Sequence, residues 1–130
     1  MSKNILIVED EFLVAMDLED IVSRAGYRVL GIAPDQEAVS RMREVPDIAL
    51  VDLNLRDGPT GVAIARGLVE RGNTIVIFVT ANPAQITDPP SRSIGYVQKP
   101  FSPEAILTAI EFAALGQHKR LPHGLHLFHD

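Results

Sequence analysis

Residues 48–58 read IALVDLNLRDG, and the fold turns on how this stretch is placed. Ile48, Ala49, Leu50 and Val51 are apolar in a row. Strict alternation marks a strand with one wet face. An unbroken aliphatic run marks a strand covered on both faces, the kind found in parallel sheets. Asp52 follows at once, so a buried strand delivers a carboxylate to its own C-terminal end. Asp57-Gly58-Pro59, further on, is turn chemistry and lies off the strand.

Outward from this stretch, four more short apolar runs appear: Ile5–Val8, Val29–Ala33, Ile75–Val79, and Tyr96–Val97 with Ile94. Helix-period segments separate them. Val14, Leu18, Ile21, Val22 and Ala25 share one helical face, and Gly26 stops it. Ala38, Val39, Met42 and Val45 repeat the pattern before Pro46. Ile64, Ala65, Leu68 and Val69 repeat it again before Gly72. In the last helix Ser102 is the N-cap and Pro103 takes the first turn. Ile106, Leu107, Ile110, Ala113 and Ala114 form its inner face, and Gly116 closes it. Strands alternating with helices predict a doubly wound α/β fold, a parallel sheet with helices on both faces. The segment 81–98 carries Pro83, Pro89 and Pro90. The latter two remove donors a helix interior needs, so about one helical turn is expected there.

In an open α/β sheet, ligands bind beyond the carboxyl ends of the strands. Glu9, Asp10 and Glu11 follow the first strand, Asp52 the third, Thr80 the fourth and Lys99 the fifth. Crowded carboxylates repel one another, and partial burial makes this worse. Glu9, Asp10 and Asp52 against Lys99 leave a surplus of negative charge that one divalent cation neutralises. Oxygen ligands without His or Cys suit Mg²⁺. Such a rim also accepts a phosphoryl group. A carboxylate is a competent nucleophile, while Lys99 and the Thr80 hydroxyl can meet phosphoryl oxygens. Taken singly, each residue has a plainer reading: a helix-entry acid, a turn former, a strand threonine, a surface lysine.

Bulk properties narrow the field. The 130 residues suit one compact domain, and 46% hydrophobic with 22% charged residues is ordinary for a globular chain. A net charge of −5 argues against direct DNA binding. The chain has no cysteine, which removes disulfide and thiolate chemistry and fits a reducing compartment. No apolar run approaches the ~18 residues of a membrane span, and no secretory leader is evident. The reading is cytoplasmic, with no membrane association.

The stretches ILIVEDE, IALVDLNLRDG, IVIFVTA and VQKPFSPEAI, in that order, resemble a response-regulator receiver domain of two-component signalling, CheY-like. The resemblance runs from Lys3 to about Leu115. It implies a five-stranded parallel sheet in the order 2-1-3-4-5. It implies that Asp52 accepts phosphate from a histidine kinase or a histidine phosphotransfer protein. It implies that Asp10 and Asp52 ligate Mg²⁺ with the backbone carbonyl of Asn54, with Glu9 acting through water or indirect contacts. Thr80 and Lys99 would contact the phosphoryl group. Tyr96 matches the family's switch aromatic, and Lys99-Pro100 its cis peptide bond. The short, proline-rich 81–98 segment departs from the full fourth helix of the family.

The chain divides into a receiver at 1–116 and a tail at 117–130, too short for an effector module. The expected output is therefore contact with an unidentified protein, or passage of phosphate along a relay, with room for a homodimer. The chain is read as a phosphoacceptor with self-phosphorylation and dephosphorylation chemistry rather than an enzyme. A phosphatase of the haloacid dehalogenase type would want an acid where Asn54 stands. A flavodoxin-like flavin binder would want a neutral phosphate loop where Glu9-Asp10-Glu11 stands. All four histidines lie in the tail. His123, His126 and His129 repeat every three residues, but Pro122 and Gly124 break the helical face a metal site would share. A disordered end, or docking through Leu125, Leu127 and Phe128, are the other readings.

Overall fold

The structure, a computed structural model, describes residues 3–115 and 124–128. Its elements are β1 (Asn4–Val8), α1 (Phe12–Arg24), β2 (Arg28–Ala33), α2 (Gln36–Ser40), β3 (Ile48–Val51), α3 (Gly61–Arg71), β4 (Ile75–Thr80), β5 (Ser93–Gln98), α4 (Pro103–Leu115) and β6 (Leu125–Leu127). The sheet order is β2-β1-β3-β4-β5-β6. The first five strands run parallel, in the expected order. β6 is an addition: it pairs antiparallel with β5 and becomes the sheet edge.

The aliphatic runs behave as their composition requires. Ile5, Leu6, Ile7, Ile48 to Val51 and Val76 to Val79 are buried on both faces. Alternate residues feed two cores. Ile5, Ile7, Ile48, Leu50, Ile77 and Val79 pack under α1 and α4, while Leu6, Val8, Ala49, Val51, Val76 and Phe78 pack under α2 and α3. Burying such side chains is worth roughly 1.5–3 kcal/mol each, so the three central strands anchor the domain.

Helix ends follow local chemistry with one correction. Gly26, just beyond α1, has φ +94°, a left-handed stop that glycine permits. The Ser102 hydroxyl accepts from the Ala105 N–H at 3.1 Å, capping α4. Gly116 lies outside the described residues. The second helix, expected to continue through Val45, ends at Ser40. Arg71 of α3 donates to the Val39 and Met42 carbonyls, at 3.4 and 2.7 Å; Pro46, four residues past Met42, has no N–H to offer that carbonyl in a continued helix. Between β4 and β5 there is a single 3₁₀ turn, Pro83–Gln85, as the prolines dictate.

With no fourth helix in that segment, Phe128 covers part of the β4–β5 face. Its ring lies 6.2 Å from those of Phe78 and Tyr96. Of the tail readings, docking on this domain is the one the structure shows for residues 124–128. His118, His123 and His129, and with them the histidine metal reading, lie outside the described residues. No helix among the described residues is long and apolar enough to cross a membrane.

Candidate phosphoacceptor and metal site

Parallel pairing in register brings the ends of β1 and β3 side by side: Val8 opposes Val51, so Glu9 and Asp52 emerge together. The Asp52 N–H donates to the Val8 carbonyl at 2.9 Å, which fixes the offset between the two acids. Glu9 and Asp52 are buried, 2% and 7% exposed, and Asp10 is half-buried. One carboxylate oxygen from each of Glu9, Asp10 and Asp52 lies within 4.8 Å of the others. This is an acidic cluster that can hold a metal ion.

Lys99 reaches into it from the end of β5. Its ammonium donates to Glu9 Oε1 at 2.7 Å and to Asp52 Oδ2 at 3.0 Å. The second oxygens of Glu9 and Asp52 are also engaged. Glu9 Oε2 accepts from the Glu11 N–H at 3.0 Å, and Asp52 Oδ1 from the Leu53 N–H at 2.7 Å. Burial pushes the Glu9 carboxyl above its ordinary range, and the Lys99 hydrogen bond offsets this only in part. Burial alone would make Lys99 easier to deprotonate. Its bonds to Glu9 and Asp52 outweigh that and hold it above its usual range.

Thr80 ends β4, fully buried, and its hydroxyl accepts from the Asn82 N–H at 2.9 Å. The Lys99 N–H donates to the Thr80 carbonyl at 2.9 Å, so the threonine and the lysine are tied through backbone. The Lys99-Pro100 bond is cis. Asn54 is exposed, and its side-chain amide donates to Gln85 Oε1 at 2.8 Å. Tyr96 is half-buried on β5, stacked on His126. Asp57 stands apart from the cluster: its carboxylate accepts from the Thr60 hydroxyl at 2.7 Å and the Gln36 N–H at 3.1 Å. It holds the loop after β3 onto α2, a turn residue.

The family model for the response regulator receiver domain matches residues 5–111. The chain belongs to this family.

Among relatives of this receiver, the phyllosphere-induced regulator PhyR of Methylorubrum extorquens is 36% identical over 121 residues, covering 90% of this chain and 45% of that protein. Chemotaxis protein CheY of Thermotoga maritima is 31% identical over 115 residues, covering 85% of this chain and 96% of that one. The solution structure of the PhyR receiver domain from Erythrobacter litoralis superposes with a TM-score of 0.78 at 34% identity, covering 92% of this chain and 95% of that one. The chain spans about half the length of the first curated relatives it matches, 45% and 57%.

One residue of this receiver's site escapes a reading by strand ends. Gly61 opens α3, and a Cβ there would overlap the Asp52 carbonyl oxygen and Leu53 Cα. Its N–H donates to the Leu53 carbonyl at 3.1 Å. The β3 loop can therefore fold tightly against α3 and hold Asp52 in place. A lone glycine before a helical face carries no signal of this role.

Proposed function

We propose that this receiver is a cytoplasmic phosphoacceptor in a two-component phosphorelay, with Asp52 as the acceptor. The observation that carries the reading is the position of Lys99, bonded at once to Glu9 and Asp52 beside Asp10. A buried ammonium that bridges two acids is already set where a transferred phosphoryl group would need positive charge. An Asp52 oxygen attacks the phosphorus of a phosphohistidine, the P–N bond breaks, and the imidazole leaves with its electron pair and takes up a proton. Asp10 and Asp52, with the Asn54 carbonyl, would hold Mg²⁺, and Glu9 would act on it indirectly. Bound Mg²⁺ supplies charge to offset the phosphoryl oxygens. The chain takes up one group and turns over no separate substrate, so we do not class it as an enzyme.

The donor is a histidine kinase or a histidine phosphotransfer protein. Phe12 and Leu13, 73% and 80% exposed, stand directly after the acidic rim and offer an apolar landing for it. Phosphorylation takes Asp52 from one negative charge to about two and adds acceptor oxygens. The Thr80 hydroxyl turns to meet them, and Tyr96 swings inward to the space it leaves, a shift between two populations. The output is contact with another protein.

The test is incubation with a small acyl phosphate or phosphoramidate and Mg²⁺, followed by intact mass. We expect one phosphoryl adduct on the natural chain and none on Asp52→Asn. An adduct retained in Asp52→Asn moves the acceptor elsewhere.

A further inference from the structure

Residues 124–128 sit on β5 in a seat that is shaped for them. A Cβ on Gly95 would run into the His126 carbonyl, and one on Gly124 into the Ala105 side chain. Gly124 also has φ +89°, a conformation that disfavours other residues. The Phe128 N–H donates to the Ile94 carbonyl at 3.0 Å. Leu125 is buried in the core under α4, with Val97 and Ala105. On the opposite face, the His126 ring stacks on Tyr96, with centroids 4.7 Å apart and planes 12° off parallel.

This seat adjoins the strand that carries Thr80 of the acceptor rim. Tyr96 pairs with Phe78 across the β4–β5 ladder, and Thr80 follows Phe78 by two positions on the same strand. Phe128 lies 6.2 Å from both aromatic rings. Phe78, Tyr96, His126 and Phe128 thus form one ring cluster between the end of β4 and the sheet edge. The stack is made with Tyr96 in its present half-buried position beside the Phe128 ring. A Tyr96 ring that moved from this position would give up its contacts with both His126 and Phe128. The seat itself is small. β6 meets β5 through three residue pairs at a sheet edge, the kind of element that opens locally before the rest of the domain.

We propose that residues 124–128 are a releasable cover on the β5 edge. They are docked while Asp52 is unmodified, and they leave when phosphorylation draws Tyr96 inward, which uncovers the Gly95–Val97 backbone. This rests on the phosphoacceptor reading of Asp52. The two ends are linked, so each must influence the other by the same factor.

Amide hydrogen exchange on the full chain, with and without Mg²⁺ and beryllofluoride as the phosphoryl probe, reads the cover directly. Exchange at Leu125–Phe128 should quicken on the order of tenfold when the probe binds. Gly95→Val, which evicts the strand, and Phe128→Ala, which only weakens its hold, should both tighten beryllofluoride binding. Exchange at 125–128 that is unchanged or slower with the probe bound overturns the cover and leaves the acceptor reading standing. Unchanged probe affinity in Phe128→Ala does the same, even if Gly95→Val does not fold. A chain that binds no beryllofluoride at all overturns both readings.

Discussion

Lys99 and Glu9 lie 90 positions apart in the chain, yet the Lys99 ammonium stands 2.7 Å from Glu9 Oε1. The same ammonium stands 3.0 Å from Asp52 Oδ2. One cation thus restrains two acids that burial and mutual repulsion both disfavour. The arrangement makes the acidic rim tolerable without metal, and it sets the electrostatic starting point for any phosphoryl group that arrives.

Removing that ammonium leaves two buried carboxylates facing each other. Lys99→Met should cost roughly 3 kcal/mol near neutral pH in EDTA, measured by urea denaturation. The sign of the pH effect follows from Glu9. Its carboxyl is raised in the folded state, so folding takes up a proton there, and stability falls as pH rises above its ordinary value of 4.5. Without Lys99 the rise is larger, and the decline should extend to higher pH than in the natural chain. Mg²⁺ should restore part of the loss. A variant matching the natural chain at every pH would show that Lys99 carries no such restraint.

Gly61→Ala should disturb the site without touching any of its side chains. The added methyl group meets the Asp52 carbonyl and Leu53 Cα, so the loop after β3 must move off α3. We expect a loss of about 1–3 kcal/mol, typical of overpacking. Phosphorylation by an acyl phosphate should slow as well. Full stability and full phosphorylation rate together would mean that the loop has room to spare.

Acid should loosen the contacts around α2. The Ala38 N–H, and then Arg56, hold the Asp35 carboxyl below its ordinary range. The Thr60 hydroxyl, and then the Gln36 N–H, do the same for Asp57. Depressed carboxyls stabilise the fold above their ordinary value of 3.8, and this contribution disappears as pH falls through the folded value. Asp35→Ala and Asp57→Ala should each be less stable than the natural chain at pH 7, with the gap narrowing toward pH 3. A gap that holds constant across the titration would exclude the charged form as its source.

Leu125→Ala tests whether β6 contributes to the fold. Leu125 is buried among Val97, Ala105 and Ile106 although it lies at the sheet edge. The loss should be about 2 kcal/mol, the low end for a buried leucine, because an edge can partly collapse. No change in the denaturation midpoint would mark β6 as a passive attachment.

What the sequence alone determined lies in the strand ends. Runs such as Ile48–Val51 are too apolar for any place but the middle of a covered sheet. Whatever follows them must stand at the sheet's rim, and so Glu9, Asp10, Asp52, Thr80 and Lys99 were legible from their positions. The start of α4 was legible because Ser102 and Pro103 act within one turn. Features decided by distant partners were not. α2 stops at Ser40, the Met42 N–H turns back to the Val39 carbonyl, and Arg71, 32 positions past Val39, donates to the carbonyls left beyond the helix end. Gly61 matters only because Asp52 and Leu53 are folded against it. β6 is three residues long, too short for a period to show. It becomes a strand because β5 presents an open edge, and Gly95 leaves room for the His126 carbonyl to approach.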